Sequence, residues 1–257
     1  MKLILVSLIH NRKHLLGDCV LSAVNQTLPK DQWLHLLIDN ASTDGADVLA
    51  EMFAQKYPHV RFARMGSNMG QMPAYNWVLN EWLPNNEPTA EILCQLDSDD
   101  RITTLALEEV TNKFNSNKSL IQTYSDFSII DESGRVKIRA HPKAKQVDPR
   151  VELTDHGQAL LRSLEYQYNV IGHFRSLNIE HLREIGGFDE NYKYATDVNM
   201  ACKSLSSKYM VAKIPKVLYE WREHGKQVQG EVSAEQTECW ERLRKYYREL
   251  WQQKGLI

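Results

Sequence analysis

The chain has 257 residues, 42% of them apolar and 25% charged, with a formal net charge of -2. That length admits one large α/β domain or two small ones around a substantial core, and the near-neutral charge argues against a nucleic-acid binder that works by neutralising phosphates. No stretch approaches the ~20 apolar residues of a membrane-spanning helix, and the short apolar run Leu3-Ile4-Leu5-Val6 leads to His10, Asn11 and Arg12 instead of a signal-peptide cleavage site.

The predicted elements alternate. Lys2 to Ile9 reads as a buried strand, and Leu15, Leu16, Cys19, Val20, Ala23 and Val24 recur at helical spacing behind it. Leu34 to Ile38 is a second strand with the polar exit Asp39-Asn40-Ala41-Ser42-Thr43-Asp44-Gly45. A helix carrying Val48, Leu49, Met52 and Phe53 leads to a third strand, Val60 to Arg64. After the loop Gly66 to Gln71, a helix from about Pro73 to Trp82 precedes the fourth strand, Ile92 to Leu96. Strands alternating with helices over short links imply βαβ units and a parallel sheet. No GxGxxG follows the first strand and no P-loop is present, which disfavours a dinucleotide site and a phosphate loop.

Beyond Asp100 the pattern changes. A helix is expected over Thr103 to Phe114, strands over Leu120 to Tyr124 and Phe127 to Ile130, and a hairpin turn at Asp131-Glu132-Ser133-Gly134 returning through Val136 and Ile138. Arg139 to Arg150 reads as a polar loop or lid, and Thr154-Asp155 as the cap of a helix with Leu160, Leu161 and Leu164. Then come a strand over Asn169 to Phe174, a short helix ending on Gly186-Gly187, and a helix over Thr196 to Leu205. Short strands follow at Tyr209 to Ala212 and Val217 to Trp221, and an amphipathic helix at Ser233 to Gln252. Its aromatic residues Trp240, Tyr246, Tyr247 and Trp251 suit packing on the core or a second subunit, or else a sugar-stacking or peripheral membrane surface. Cys19, Cys94, Cys202 and Cys239 form no CxxC pair, so buried free thiols in a reducing, cytoplasmic compartment are expected.

The most informative stretch is Gln95-Leu96-Asp97-Ser98-Asp99-Asp100 at the end of the fourth strand. Ligands of open α/β sheets bind at the carboxyl ends of strands. Aspartates this close repel one another unless a cation lies between them, and their hard oxygens suit Mg²⁺ or Mn²⁺. An Asp-rich turn with Asp100 capping the next helix is the plain alternative. By the same standard, Asp39-Asn40 can be an Asx-turn, Asp197 a helix cap, and His224, His35, His59 and His156 structural residues.

Six stretches in order nevertheless carry a resemblance. They are Ser22 to Thr27, Asp39 to Gly45, Asn68-Met69-Gly70 with Asn76, Leu96 to Asp100, Ile185-Gly186-Gly187-Phe188-Asp189-Glu190, and Ala195-Thr196-Asp197 with the late His224. Together they resemble a nucleotide-sugar glycosyltransferase of family 2 with the GT-A fold, from Leu3 to about Gly225, and Tyr219 to Gly225 is similar to bacterial chondroitin-polymerase-type domains. The resemblance implies an α/β fold with a central, mostly parallel sheet flanked by helices. It implies one domain over residues 1–230, with a nucleotide half at 1–101 and an acceptor half at 102–230, followed by the helical tail at 231–257.

It further implies inverting, metal-dependent transfer of a hexosyl or N-acetylhexosaminyl group from a UDP-sugar or other nucleotide sugar to a glycan, lipid-linked or other hydroxyl. Asp99 and His224 would hold Mn²⁺ or Mg²⁺, while Asp39, Asn40, Asn68 and Asp97 would lie on the nucleotide. Asp197 would be the general base, and Gly187 and Phe188 would lie on the acceptor. Four departures stand out. Asn40 replaces an acid, Tyr75 an arginine, Thr196 a glutamate and Asn199 another acid. Lys226, Arg222 and Arg139 are the candidates for the cation missing at Tyr75. These changes keep open a non-catalytic sugar-nucleotide or glycan-binding module of the same fold, and clustered acids alone would also suit a Mg²⁺-dependent nucleotidyltransferase.

Overall fold

The computed structural model describes residues 2–139, 172–225 and 233–255. The expected lid from residue 140 onward, the helix with Leu160, Leu161 and Leu164, the start of the strand at Asn169, His156 and Lys226 lie outside the described residues.

Strand β1 (Lys2–Ile9), helix α1 (Lys13–Val24), β2 (Trp33–Asp39), α2 (Ala46–Lys56) and β3 (Val60–Arg64) form the first alternation. Leu3, Ile4, Leu5 and Val6 are fully buried, because β1 pairs in parallel with β2 on one side and β4 (Ala90–Gln95) on the other. Helix α1 lays Leu15, Leu16, Cys19, Val20 and Ala23, spaced three and four residues apart, against the protein interior. Helix α3 (Gln71–Trp77) passes through one π turn (Val78–Trp82) into α4 (Leu83–Asn86) before β4.

The second half contains β5 (Arg101–Ile102), α5 (Ala106–Ser116), β6 (Leu120–Ile130), β7 (Val136–Ile138), β8 (His173–Asn178), α6 (Ile179–Glu184), α7 (Thr196–Leu205), β9 (Met210–Arg222) and α8 (Ala234–Gln253). The strands form one sheet in the order β3-β2-β1-β4-β8-β6-β9-β5, with β7 paired to β6. The first four strands are parallel. Beyond them β8 runs antiparallel to both β4 and β6, while β9 is parallel to β6. The chain builds β1, β2 and β3 outward and then returns to place β4 on the other side of β1. That reversal opens a crevice at the carboxyl ends of β1 and β4, where such sheets bind ligands.

Two pairs of expected strands are single long ones. The polar residues Ser125-Asp126 and Lys213 interrupt the apolar runs in sequence but not in space: Lys213 Nζ meets Asp126 Oδ1 at 2.6 Å across the β6–β9 ladder, which shifts register there and continues. The helix expected from Thr103 starts at Ala106, since Arg101 and Ile102 pair with Glu220 and Tyr219 as β5. Asp100 does not cap it. Its carboxylate accepts from the Arg222 backbone N–H and the Tyr219 hydroxyl, both at 2.7 Å.

Ser233 and Gln236 form a capping box at the start of α8. Cys239, Leu243, Tyr247 and Trp251, at four-residue steps, then pack with Val198, Ala201, Cys202 and Leu205 of α7. The tail aromatics Tyr247 and Trp251 are therefore core residues, and Tyr246 is exposed. All four cysteines are free and buried. Among the described residues no helix is long and apolar enough to cross a membrane.

Candidate active site

The acidic turn after β4 points two ways. Asp100 is buried behind the rim on Tyr219 and Arg222. Asp99 faces the crevice, and its Oδ2 receives Arg12 Nε at 3.0 Å from the end of β1 and meets His224 Nε2 at 3.1 Å from just beyond β9. The imidazole side chain of His224 is only 1% exposed. It is held there by its neighbour Arg222, a fully buried guanidinium that donates to the Asp99 carbonyl at 2.7 Å, the Glu132 carbonyl at 2.8 Å and Asp18 Oδ2 at 2.9 Å. Arg222 thus fixes both the backbone of Asp99 and the end of β9, two residues before His224.

One carboxylate and one imidazole make a mixed oxygen and nitrogen donor set that fits Mn²⁺ or Mg²⁺. Among the described residues no three His, Cys, Asp or Glu side chains close around a single point. Such a site leaves coordination positions for water and substrate phosphate oxygens, the usual arrangement for these ions.

Asp97 lies deeper. Burial pushes its carboxyl up, Arg175 pulls it down, and Asp99 and Asp197 push it up again. Asp100 is pushed well up by burial and by Asp97 and Asp99. A buried acid cluster in this state invites positive charge.

Three of the four residues expected on the nucleotide, Asp39, Asn40 and Asn68, come together at the end of β2. Asp39 is fully buried at the end of β2, with both oxygens 3.2 Å from the Ser42 N–H and Arg64 Nε at 3.5 Å. It therefore closes an Asx-type turn while lying on the rim. Asn40 Nδ2 donates to Asn68 Oδ1 at 3.0 Å and to the Gly70 carbonyl at 3.3 Å, and its Oδ1 accepts from the Met69 N–H at 3.1 Å. The two loops are knit into one wall.

Asp197 occupies the first turn of α7, with its side chain 41% exposed. Ala195 precedes that helix with no side-chain cap, so Asp197 is not the cap residue. Its Oδ2 lies 3.6 Å from Arg175 Nη1, and Arg175 Nε donates to Gln95 Oε1 at 3.2 Å. Burial lowers the Arg175 guanidinium, but Asp197 and Asp97 outweigh that and raise it.

Among the described residues, four non-glycine positions adopt left-handed backbone: Asn11 (φ 55°), Ala41 (φ 61°), Phe174 (φ 52°) and Ala195 (φ 54°). Each is next to, or two residues from, a side chain just described: Arg12, Asn40, Arg175 and Asp197. Strained backbone of this kind concentrates at functional sites.

The Glycosyl transferase family 2 profile matches residues 5–185, well over half of the chain. The chain belongs to glycosyl transferase family 2. A Bacillus spizizenii protein named Poly(ribitol-phosphate) beta-glucosyltransferase is 29% identical over 161 residues, which are 60% of this chain and 23% of that protein. The crystal structure of S. aureus TarS 1-349 in complex with UDP superposes with a TM-score of 0.71 at 18% identity, covering 96% of this chain and 65% of that one. The mannosyltransferase PcManGT from Pyrobaculum calidifontis, in complex with GDP-Man and Mn²⁺, gives 0.61 at 18% identity, covering 89% of this chain and 58% of that one. The chain spans under a quarter of the curated relative and less than two thirds of these solved chains. These likenesses show the fold. Asp197 and His224 lie beyond the matched residues 5–185, so their placement rests on the geometry above.

Two expected site residues of this family 2 chain have other work. Gly187 (φ 66°) leaves room for the Asn76 amide, whose Oδ1 would be 2.8 Å from an added Cβ. Asn76 Oδ1 accepts from the Phe188 N–H at 2.9 Å, and the Phe188 ring is buried, stacked 5.1 Å from Tyr75. An acceptor contact by the Phe188 side chain has no support in this packing. Arg222, a candidate for the missing cation, is committed to carbonyls and Asp18; Arg139 is exposed at the edge of the described residues. Among the described residues, Arg12 lies on Asp99 and Arg175 by Asp197, and Arg175 is near enough to the Tyr75 hydroxyl to act on its titration. No motif marked these two; Tyr219 and Arg222 lay in a stretch marked only by resemblance, and their work as supports of the acidic turn carried no signal there. A lone arginine in a polar loop or strand has the same signature as a solvated one.

Proposed function

We propose that the chain is an inverting, metal-dependent glycosyltransferase that moves a sugar from a nucleotide-sugar donor, a UDP-sugar by preference, to a hydroxyl of a glycan, lipid or other acceptor. The observation that carries this reading is the meeting of Asp99 and His224, 125 residues apart in sequence, at 3.1 Å in the acidic turn that follows β4. Asp39, Asn40 and Asn68 form the wall for base and ribose, and Asp97 lies nearer the ribose than the metal pair. Asp99 and His224 would hold Mn²⁺ or Mg²⁺, which when bound stabilises charge growing on the leaving diphosphate. Arg12 adds positive charge beside the same carboxylate.

Asp197 takes the proton of the acceptor hydroxyl as its oxygen forms the new bond to the anomeric carbon. The bond from that carbon to the diphosphate oxygen breaks, and its electron pair leaves with the nucleotide. One displacement inverts the configuration.

The test is nucleotide release from UDP-glucose, UDP-GlcNAc and GDP-mannose with Mn²⁺, with binding measured alongside. Asp99→Ala should abolish turnover and metal-dependent nucleotide binding; Asp197→Asn should keep binding and lose turnover. Full turnover by Asp197→Asn would remove the base assignment. Binding without turnover of any donor by the unaltered chain would favour the non-catalytic module, a reading motivated by Thr196 and Tyr75.

A further inference from the structure

We infer that the protein has a second binding site, apart from the crevice, that takes a neutral oligosaccharide in a cavity between the loop after α6, the end of α7 and one stripe of α8. The cavity measures about 580 Å³, inside the ~300–1,000 Å³ range of ligand pockets. None of Asn40, Asp97, Asp99, Asp197 and His224 lines it. The site itself does not depend on the assignment of Asp197 or of the metal pair.

Helical period builds two of its three walls. Cys239, Leu243, Tyr247 and Trp251 are the buried stripe of α8. Tyr246, Leu250 and Lys254, also at four-residue steps, form the stripe beside it and line the cavity. Lys203, Ser206 and Ser207 line it from the end of α7, and the loop of residues 185–191 supplies the third wall. That loop is tied down. Lys203 Nζ donates to the Gly186 and Gly187 carbonyls at 3.3 and 2.6 Å, and Asn199 Nδ2 donates to Asp189 Oδ2 at 3.2 Å.

The lining chemistry sets the ligand class. Two carboxylates, Asp189 and Glu190, and two ammonium groups, Lys203 and Lys254, face the same space. Their charges cancel, so a polyanion or a cation gains no net attraction there. A neutral molecule that both donates and accepts suits it, and sugar hydroxyls do both. Glu190 Oε1 accepts from the Asn76 amide at 2.6 Å, and Lys254 Nζ donates to the Ser206 carbonyl at 3.2 Å. A carboxylate offers about four lone-pair sites and an ammonium three protons, so these bonds leave capacity for hydroxyls.

Tyr246 supplies the apolar part. Packing of α8 on α7 uses the neighbouring stripe, and the Tyr246 ring is 52% exposed. Its one ring contact is T-shaped, 78° from the plane of Tyr247 at 5.0 Å, which covers at most one of its faces. The C–H face of a pyranose packs on such a ring while its hydroxyls reach the polar walls. For a transferase acting on a polymer, this hold keeps the chain beside the enzyme between transfers.

The experiment is calorimetric titration of cellotetraose, maltotetraose and N-acetylchitotetraose into the full chain, with and without saturating UDP and Mn²⁺. A heparin-derived tetrasaccharide is the anionic comparison. At least one neutral tetrasaccharide should bind with a millimolar Kd, and UDP with Mn²⁺ should not displace it. Y246A, at an exposed position, should weaken that binding about fivefold. E190Q keeps an oxygen for Asn76 and should weaken it about threefold; UDP binding should be unchanged in both variants. No binding of any neutral tetrasaccharide, binding of the anionic one alone, displacement by UDP, or unaltered affinity in folded Y246A and E190Q would each overturn the proposal. Nucleotide release by the unaltered chain is read separately, so any of these results leaves the transferase reading standing.

Discussion

Tyr219→Phe removes one oxygen from the support of the acidic turn. That hydroxyl donates to Asp100 Oδ2 at 2.7 Å and accepts from the Asp97 N–H at 3.3 Å, and the ring is 1% exposed. The ring itself still fills its space among Ile102, Leu218 and Phe174, so no cavity of consequence forms. What is lost is a hydrogen bond to a buried carboxylate, worth about 1.5–3 kcal/mol. For a chain of this length, a loss of about 2 kcal/mol lowers Tm by about 4–8 °C. The penalty has a pH signature. The hydroxyl favours ionised Asp100, whose carboxyl burial already pushes well up, so the variant's penalty should shrink as the pH falls and both proteins protonate Asp100. Thermal melts of both proteins at pH 5 and pH 8 measure this. A Tm difference under 1 °C at pH 8, or one that grows toward pH 5, would refute the claim that Tyr219 holds Asp100 in its charged form.

Gly187→Ala should be strongly destabilising, by about 2 kcal/mol or more, because it adds a Cβ 2.8 Å from Asn76 Oδ1 at a φ of 66°; urea unfolding reads this, and a neutral result would contradict the Asn76 clasp. Ala195→Gly relieves a left-handed alanine (φ 54°) and should leave stability unchanged or raised by up to about 1 kcal/mol, while turnover falls because the start of α7 is freed; calorimetry and nucleotide release measure the two. Burial, with His59 behind it, pushes the His35 imidazole down to about 3. The unfolded chain therefore binds the extra proton between its ordinary value near 6.5 and that point. Stability from a neutral His35 is full above pH 6.5 and lost as pH falls, by about 1.4 kcal/mol per unit; urea titrations of His35→Gln should show a flatter slope over pH 6.5–4.5, and an equal slope would contradict it.

Much of the frame was legible because burial writes itself in period. The continuous apolar runs of β1 and β2 and the three- and four-residue steps of α1 and α7 have one physical solution each. Asp99 and His224 were legible as partners only through a family resemblance, since no local spacing links the turn after β4 with the residues beyond β9. The short strand β5 was missed because two residues carry no period, and β9 was split because the Asp126–Lys213 pair, which lets it continue, joins residues remote in sequence. Tyr219, Arg222, Arg175 and Arg12 act through geometry at the crevice. Their sequence neighbours, such as Glu220 and Glu223 around Arg222, give no hint that one arginine in a charged run is fully buried.

The central claim is that Asp99 and His224 together hold a divalent cation that receives a nucleotide diphosphate. Calorimetric titration of UDP into the protein, with and without Mn²⁺, for the unaltered chain, D99N and H224Q tests it most directly. The account predicts that Mn²⁺ strengthens UDP binding at least tenfold in the unaltered chain and that each single variant loses most of that gain. Mn²⁺-independent binding, or a gain unchanged in both variants, would contradict it.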